Sequence, residues 1–257
     1  MAERPVIEAV LFDAGGTLVR LDFEWMSEML GTLGLRVTPE QMRHAEVRGR
    51  RLYDQAATRP RVLAPGEPHP ALGSIAPIDS YFSGMLEAVG CRHPVLEEAL
   101  ARFHAKQKPP SLLWGRPAEG ARAALDGVHA MGLRACCVSN SDGRAEHHLV
   151  VCGVRAGLEF VVDSQIEGVE KPDSRLFGIA LDRLGVPPDR AVYVGDIRSV
   201  DEAGSRAAGM PFVLIDPHGD YAAPGTHAVR VIDELPQYLA KHFIVHASPG
   251  RTSQPHP

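Results

Sequence analysis

The stretch Val10-Leu11-Phe12-Asp13-Ala14-Gly15-Gly16-Thr17-Leu18-Val19 decides how the rest of the chain is read. An apolar run delivers one carboxylate, Asp13, into a turn built on two glycines. Such a run, closed by a turn, reads as a buried strand. The whole run "VIEAVLFD" at 6–13 is joined by "RACCVSN" at 134–140, "EFVVDS" at 159–164, "AVYVGD" at 191–196 and "PFVLID" at 211–216. Helical patterns alternate with these strands: "PAEGARAALDGVHAMG", "GRAEHHLVVCG", "SRLFGIALDRLG" and "SVDEAGSRAAG". That alternation implies an α/β fold with a parallel sheet covered on both faces. Right-handed crossovers then align the strand C-terminal ends along one edge, where such sheets bind ligands.

Residues 20 to about 115 break the rhythm. "DFEWMSEMLGTLGL", "TPEQMRHAEVRGRRLYDQAA", "PIDSYFSGMLEAVG" and "HPVLEEALARFHAKQ" all have helical spacing, with Thr38-Pro39 and Pro77 placed as helix starts. The expected organisation is a Rossmann-like core of residues 1–19 and 116–246 with an all-helical insert, 20–115. Within the insert, "RPRVLAPGEPHPALGSIAP" at 59–77 reads as a long Pro/Gly-rich loop, and residues 247–257 read as a disordered tail. The arginines at 43, 48, 50, 51, 59 and 61 make the first part of the insert basic and read as a solvated helix face. His147 and His148 read as helix-surface residues, and Asp142 as the cap of the following helix.

At 257 residues, 44% hydrophobic and 23% charged, the chain has the composition of a soluble folded protein. A net charge of −5 recruits neither nucleic acid nor an anionic membrane. No apolar run approaches the roughly 20 residues that span a bilayer, and the first residues lack a secretory pattern. The four cysteines, Cys91, Cys136, Cys137 and Cys152, have no metal-type spacing and read as small buried hydrophobes in a reducing, cytoplasmic setting.

Four expected strand ends carry chemistry. Asp13 ends the first strand, and Ser139 and Asn140 end "RACCVSN". Lys171 lies in "VEKPDSRLF", and Asp196 ends "AVYVGD" five residues before Asp201. Carboxylates, a hydroxyl and an ammonium converging on one edge suit metal-assisted phosphoryl transfer. A cation and a lysine offset phosphate charge, a hydroxyl donates to a phosphate oxygen, and one aspartate attacks. Hard oxygen ligands favour Mg2+.

In order along the chain, "DAGGTL", "VSN", "EKP" and "GDIRSVD" resemble the motifs of the haloacid dehalogenase-like hydrolase superfamily, over residues 6–240. The resemblance implies that Asp13 is a nucleophile forming an aspartyl-phosphate. It implies that Ser139, Asn140 and Lys171 hold the phosphoryl group of a small phosphorylated substrate. The metal would be bound by Asp13, Asp196 and the backbone carbonyl of Gly15, with Asp201 direct or behind them. The helical insert corresponds to a substrate-selecting cap.

Gly15 departs from the pattern, because phosphatases of the superfamily usually carry there an aspartate that protonates the leaving group. Such general acid–base help is worth about 10²–10⁴-fold. The expected activity is a Mg2+-dependent phosphatase that depends on good leaving groups. The alternative is a non-catalytic or regulatory binding protein of the same fold, which Gly15 favours and the intact Asp13, Lys171 and Asp196 oppose. Two further alternatives are weaker. A 2-haloacid dehalogenase would not keep the Gly-Asp turn, and a phosphonate hydrolase needs a cap lysine where the helical patterns offer Lys106 and Lys108.

Overall fold

The computed structural model describes residues 4–57 and 75–246, with side chains from residue 78 onward in the second segment. In chain order the first elements are β1 (Val6–Ile7), β2 (Ala9–Phe12) and β3 (Val19–Arg20). The insert follows as α1 (Phe23–Thr32), α2 (Pro39–Ala57), α3 (Ile75–Ala88) and α4 (Val95–Gln107). The chain continues through β4 (Arg116–Pro117), α5 (Ala121–Ala130), β5 (Arg134–Ser139), α6 (Ala145–Val151), β6 (Val161–Asp163), α7 (Ser164–Glu167) and α8 (Ser174–Leu184). It ends with β7 (Ala191–Gly195), α9 (Ala203–Ala207), β8 (Phe212–Ile215), β9 (Ala228–Val229), α10 (Leu235–His242) and β10 (Ile244–Val245).

The core is a six-stranded sheet in the order β6-β5-β2-β7-β8-β9, every pair parallel. All five strands expected from the sequence are in it; the short β9 is a sixth that no apolar run announced. Alternation along each strand sends neighbours to opposite faces. Val10 and Phe12 pack with Cys137 into one core, whereas Ala9 and Leu11 pack with Cys136 into the other. All four cysteines are buried and unpaired.

The first run differs from expectation. Its strand is interrupted at Glu8, whose carboxylate pairs with Arg190 and whose N–H is bound to the Arg190 carbonyl at 2.8 Å. Residues 6–7 therefore leave the main sheet and pair with β10. The expected helix at "SVDEAGSRAAG" is also divided, into a π-type turn, Arg198–Glu202, and the short α9.

The insert is helical in its described residues and packs around its own apolar core, which includes Met26, Phe82 and Phe103. Helix α2 starts with a reciprocal cap: Gln41 N–H donates to Thr38 Oγ1 at 3.1 Å, and Thr38 N–H to Gln41 Oε1 at 2.8 Å. Helix α3 begins at Ile75, two residues before the expected start at Pro77; the remainder of the expected loop, 59–74, and the expected tail lie outside the described residues. The antiparallel pair β3–β4 brings the two ends of the insert together. Among the described residues no helix is long and apolar enough to cross a membrane.

Helices α2 and α3 approach closely at two glycines. A Cβ on Gly49 would stand 2.7 Å from the Tyr81 carbonyl oxygen, and one on Gly84 would stand 2.9 Å from that of Arg48. Both obstacles are backbone, so neither can swing aside. The substitution Gly49→Val is expected to destabilise the protein by about 1–3 kcal/mol, as overpacking does, measurable as a lower midpoint in urea unfolding.

Candidate functional site

Strand β2 is central, flanked by β5 and β7, with Phe12 in register with both Cys137 and Val194. Asp13, Ser139 and Asp196 therefore emerge side by side at the C-terminal edge, with connections departing to either side of β2. Such a switch point leaves a crevice. Asp13, Asp196 and Asp201 bring carboxylate oxygens within 4.8 Å of one another, and all three residues are buried.

Three buried acids need a cation. Lys171 supplies one: its Nζ donates to Asp13 Oδ1 at 2.6 Å, to Asp201 Oδ1 at 2.7 Å and to the Tyr193 hydroxyl at 2.9 Å. Burial works against a charged lysine, but Asp13 and Asp201 outweigh it and the pKa of Lys171 lies above its ordinary value. One ammonium shared by two carboxylates does not cancel the cost of burial at each. The Asp13 pKa is pushed up to about 6 by burial, against the opposing pull of Lys171. Burial also raises the Asp196 pKa well above its ordinary value, with Arg50 opposing.

The backbone explains why these side chains meet. Gly16 has φ +80° and a Cβ there would land on the Asp196 carboxylate, so the second glycine of the opening motif is required both by conformation and by space. A Cβ on Gly195 would stand 2.6 Å from the Asp201 carboxylate, which is why the turn is Gly-Asp. Asp201 reaches back to accept from the N–H groups of Asp196 at 3.0 Å and Ile197 at 2.8 Å. Both of its oxygens are thus engaged. Asp196 Oδ1, by contrast, is buried with no hydrogen-bond partner among the described residues.

The sequence candidates fall into distinct places. Ser139 is buried at the end of β5. Asn140 spends its amide on Lys171, donating from Nδ2 to its carbonyl at 2.9 Å and accepting from its N–H at 2.8 Å. It fixes the segment that carries the ammonium. Asp142 does not cap α6; it pairs with Arg144 at 2.7 Å, and Asp163 accepts instead from the N–H groups of Gly143 and Ala145. His148 is buried rather than on the surface, because its side of α6 faces the core. Lys106 Nζ lies over the Trp25 ring at 5.3 Å.

Four participants escaped the sequence reading. Tyr193 sits mid-strand among apolar residues, yet its hydroxyl links Lys171 to the Val138 carbonyl at 2.8 Å. Trp114 lies where a side chain on Gly15 would project, its ring carbons 3.4 Å from the virtual Cβ. Glu46 and Arg50 reach down from α2. Arg50 is 2% exposed, so the solvated-face expectation fails for it: Nε stands 3.2 Å from Asp196 Oδ2, and Nη1 donates to the Ile215 carbonyl at 3.1 Å. Glu46 balances it, with Oε2 at 3.5 Å from Arg50 and Oε1 accepting from the Tyr81 hydroxyl at 2.6 Å. The i, i+4 spacing of 46, 50 and 54 was the available signal. One turn further on, Asp54 accepts from Ser199 N–H at 2.9 Å and from the Tyr221 hydroxyl at 2.6 Å.

The parallel α/β core with a helical insert after its first main-sheet strand is the fold seen in haloacid dehalogenase-like hydrolases. The chain is a member of the haloacid dehalogenase-like hydrolase family, whose model matches residues 7–209. It is 42% identical over 97 residues to mouse haloacid dehalogenase-like hydrolase domain-containing protein 3, over 38% of this chain and 39% of that one. It is 35% identical over 117 residues to a phosphoglycolate phosphatase of Rhodospirillum rubrum, over 45% and 48%. A glyceraldehyde 3-phosphate phosphatase of Methanothermobacter thermautotrophicus is 30% identical over 128 residues, over 48% of this chain and 57% of that one. The matched segments thus span about half, or less, of the first of these curated relatives. Likeness of fold is broader: a magnesium-bound family member from Bacillus subtilis superposes with TM-score 0.54 at 17% identity, over 93% of this chain and 100% of that one. A crystallised dehalogenase gives 0.58 at 21%, over 91% and 97%.

Replacing Lys171 by Met leaves Asp13 and Asp201 facing each other without their ammonium. Stability at neutral pH is expected to fall by about 3–5 kcal/mol, the cost of breaking a buried ion pair from one side. The deficit relative to wild type should narrow as pH is lowered, because protonation removes the stranded charges. Urea unfolding at several pH values measures both.

Proposed function

We propose that the protein is a Mg2+-dependent phosphatase for small phosphorylated metabolites, working through an aspartyl-phosphate on Asp13. The observation that carries this reading is the charge arrangement around Asp13. Its Oδ1 is held by Lys171, beside a second acid, Asp196, that has a buried oxygen without a partner. The phosphatase relatives support a small phosphorylated substrate.

A dication suits this place, because the orphaned Asp196 Oδ1 and the acid trio offer hard oxygen donors. Asp13, Asp196 and the Gly15 carbonyl would hold it, with Asp201 behind them, since both Asp201 oxygens are already engaged. When bound, the ion supplies positive charge against the phosphoryl oxygens. The protein's own groups do the rest. Asp13 attacks phosphorus as the bond to the leaving oxygen breaks, and water then cleaves the acyl phosphate, returning the carboxylate. Lys171 orients Asp13 and offsets phosphoryl charge. Ser139, on the neighbouring strand, donates to a phosphoryl oxygen, and Asn140 keeps Lys171 in place. The unit 20–115 acts as a cap over a core formed by 1–19 and 116–246.

The missing acid at Gly15 limits the substrates. With no carboxyl to protonate an alkoxide, acyl and aryl phosphates should turn over faster than alkyl phosphates. Hydrolysis of acetyl phosphate is expected to depend on Mg2+, to stop with chelator and to be abolished in Asp13→Asn. Magnesium-independent turnover, or an active Asp13→Asn protein, refutes the mechanism. Absence of turnover in folded wild-type protein that still binds phosphate would favour a binding protein instead.

The same logic predicts a gain. Gly15 lacks a positive φ, and a Cβ there meets the Trp114 ring at 3.4 Å, ordinary contact, so that a carboxyl fits by turning away from the indole. Gly15→Asp is therefore expected to raise kcat on a sugar phosphate by about 10²-fold, the lower end of general acid–base help, and to change kcat on acetyl phosphate far less. Steady-state kinetics on both substrates checks the contrast.

A further inference from the structure

The contact between Arg50 and Asp196 is badly made for a buried ion pair. Arg50 Nε stands 3.2 Å from Asp196 Oδ2, yet its N–H has no hydrogen-bond acceptor among the described residues, and Asp196 Oδ1 is equally without a partner. Both residues are almost fully buried. Buried charges that stay paired normally satisfy their hydrogen bonds, because an unmet donor or acceptor there costs about 1–3 kcal/mol. The guanidinium is held elsewhere by Nη1 on the Ile215 carbonyl at 3.1 Å, with Nη2 a longer 3.5 Å from Glu46.

The charge count explains why the contact exists at all. Of the three acids, Asp13 and Asp201 share the ammonium of Lys171, and Asp196 does not touch it. Among the described residues Arg50 is the cation that pairs with Asp196, and it comes from the insert, not from the core. We propose that Arg50 stands in for the divalent cation at Asp196, so that metal binding and the seating of α2 on the core oppose each other. This rests on the reading that the metal is bound through Asp196. A guanidinium at Oδ2 and a dication at Oδ1 of one carboxylate repel strongly in a buried site, where an effective dielectric near 20 leaves several-fold more interaction than water does. By linkage, whatever factor Arg50 takes from metal affinity, the metal takes from the Arg50 contact. The core therefore admits the ion more readily when α2 is lifted, and the anionic phosphate of a substrate offsets the extra positive charge when α2 returns.

Arg50 is on this account a positioning residue acting through Asp196, and the test reads metal binding rather than turnover. Manganese(II) binding is followed by the electron paramagnetic resonance of the free ion, in wild type, Arg50→Met, Arg50→Lys and Asp196→Asn. Arg50→Met is expected to bind the ion about tenfold more tightly or better. Arg50→Lys should stay closer to wild type because it keeps the charge, and Asp196→Asn should lose the site. Unchanged or weaker binding in Arg50→Met, with Asp196-dependent binding in wild type, overturns this inference alone. Binding that ignores Asp196, or no binding in any form, overturns the metal site as well. Should Arg50→Met fail to fold, wild-type protein decides: hydrogen exchange across residues 46–54 is expected to speed up on adding Mg2+ without substrate. Slower or unchanged exchange there refutes the proposal.

Discussion

The ammonium of Lys171 is the charge on which the rest of the site depends. It makes hydrogen bonds at once to Asp13, Asp201 and Tyr193, so it binds together the ends of β2 and β7 and the turn after β7. Without it the sheet edge would hold three acids with no cation of the core among them. The surrounding contacts serve its placement. Asn140 grips the Lys171 backbone from both sides, and Tyr193 ties its Nζ back to the carbonyl of Val138. Asp163 organises the loop after β5, next to Asn140, by accepting from the N–H groups of Gly143 and Ala145.

The insert meets this core through buried polar groups as well as through apolar packing. Most of its hydrophobic residues gather in one cluster, with Val47 packed against the sheet core and Ile197 against the insert, while Arg50, Asp54 and Arg51 make hydrogen bonds to the core. Interfaces of that kind separate at less cost than a shared apolar core. On the proposed function, a substrate bound between core and insert needs that separability to enter and leave, and the polar stripe along one face of α2 supplies it.

Gly15 and Trp114 belong together. A glycine at that position gives up a carboxyl, and the indole lies against the vacated direction with its ring at contact distance from the virtual Cβ. The aromatic ring also stands 6.2 Å from Tyr81, which carries the hydroxyl bound to Glu46. The indole faces position 15 with an apolar ring, and no titratable side chain projects from there.

Much of this was legible in the linear chain because it depends on local rules. Short β-branched runs ending in Asp13, Ser139 and Asp196 predicted parallel strands and a common edge, and the motif order predicted the family. Interruptions were not legible: Glu8 breaks its strand because Arg190, far along the chain, holds its carboxylate. The same holds for side chains whose role depends on their direction. Tyr193 and His148 differ from ordinary core or surface residues only in what they face, and Arg50 looked like one basic residue among several. Sequence by itself determined which chemical groups the strand ends present, since periodicity and turn chemistry act between near neighbours. Tertiary structure decided which cation each buried acid receives, because charge balance inside a protein is settled between residues that are distant in the chain and a few ångströms apart in space.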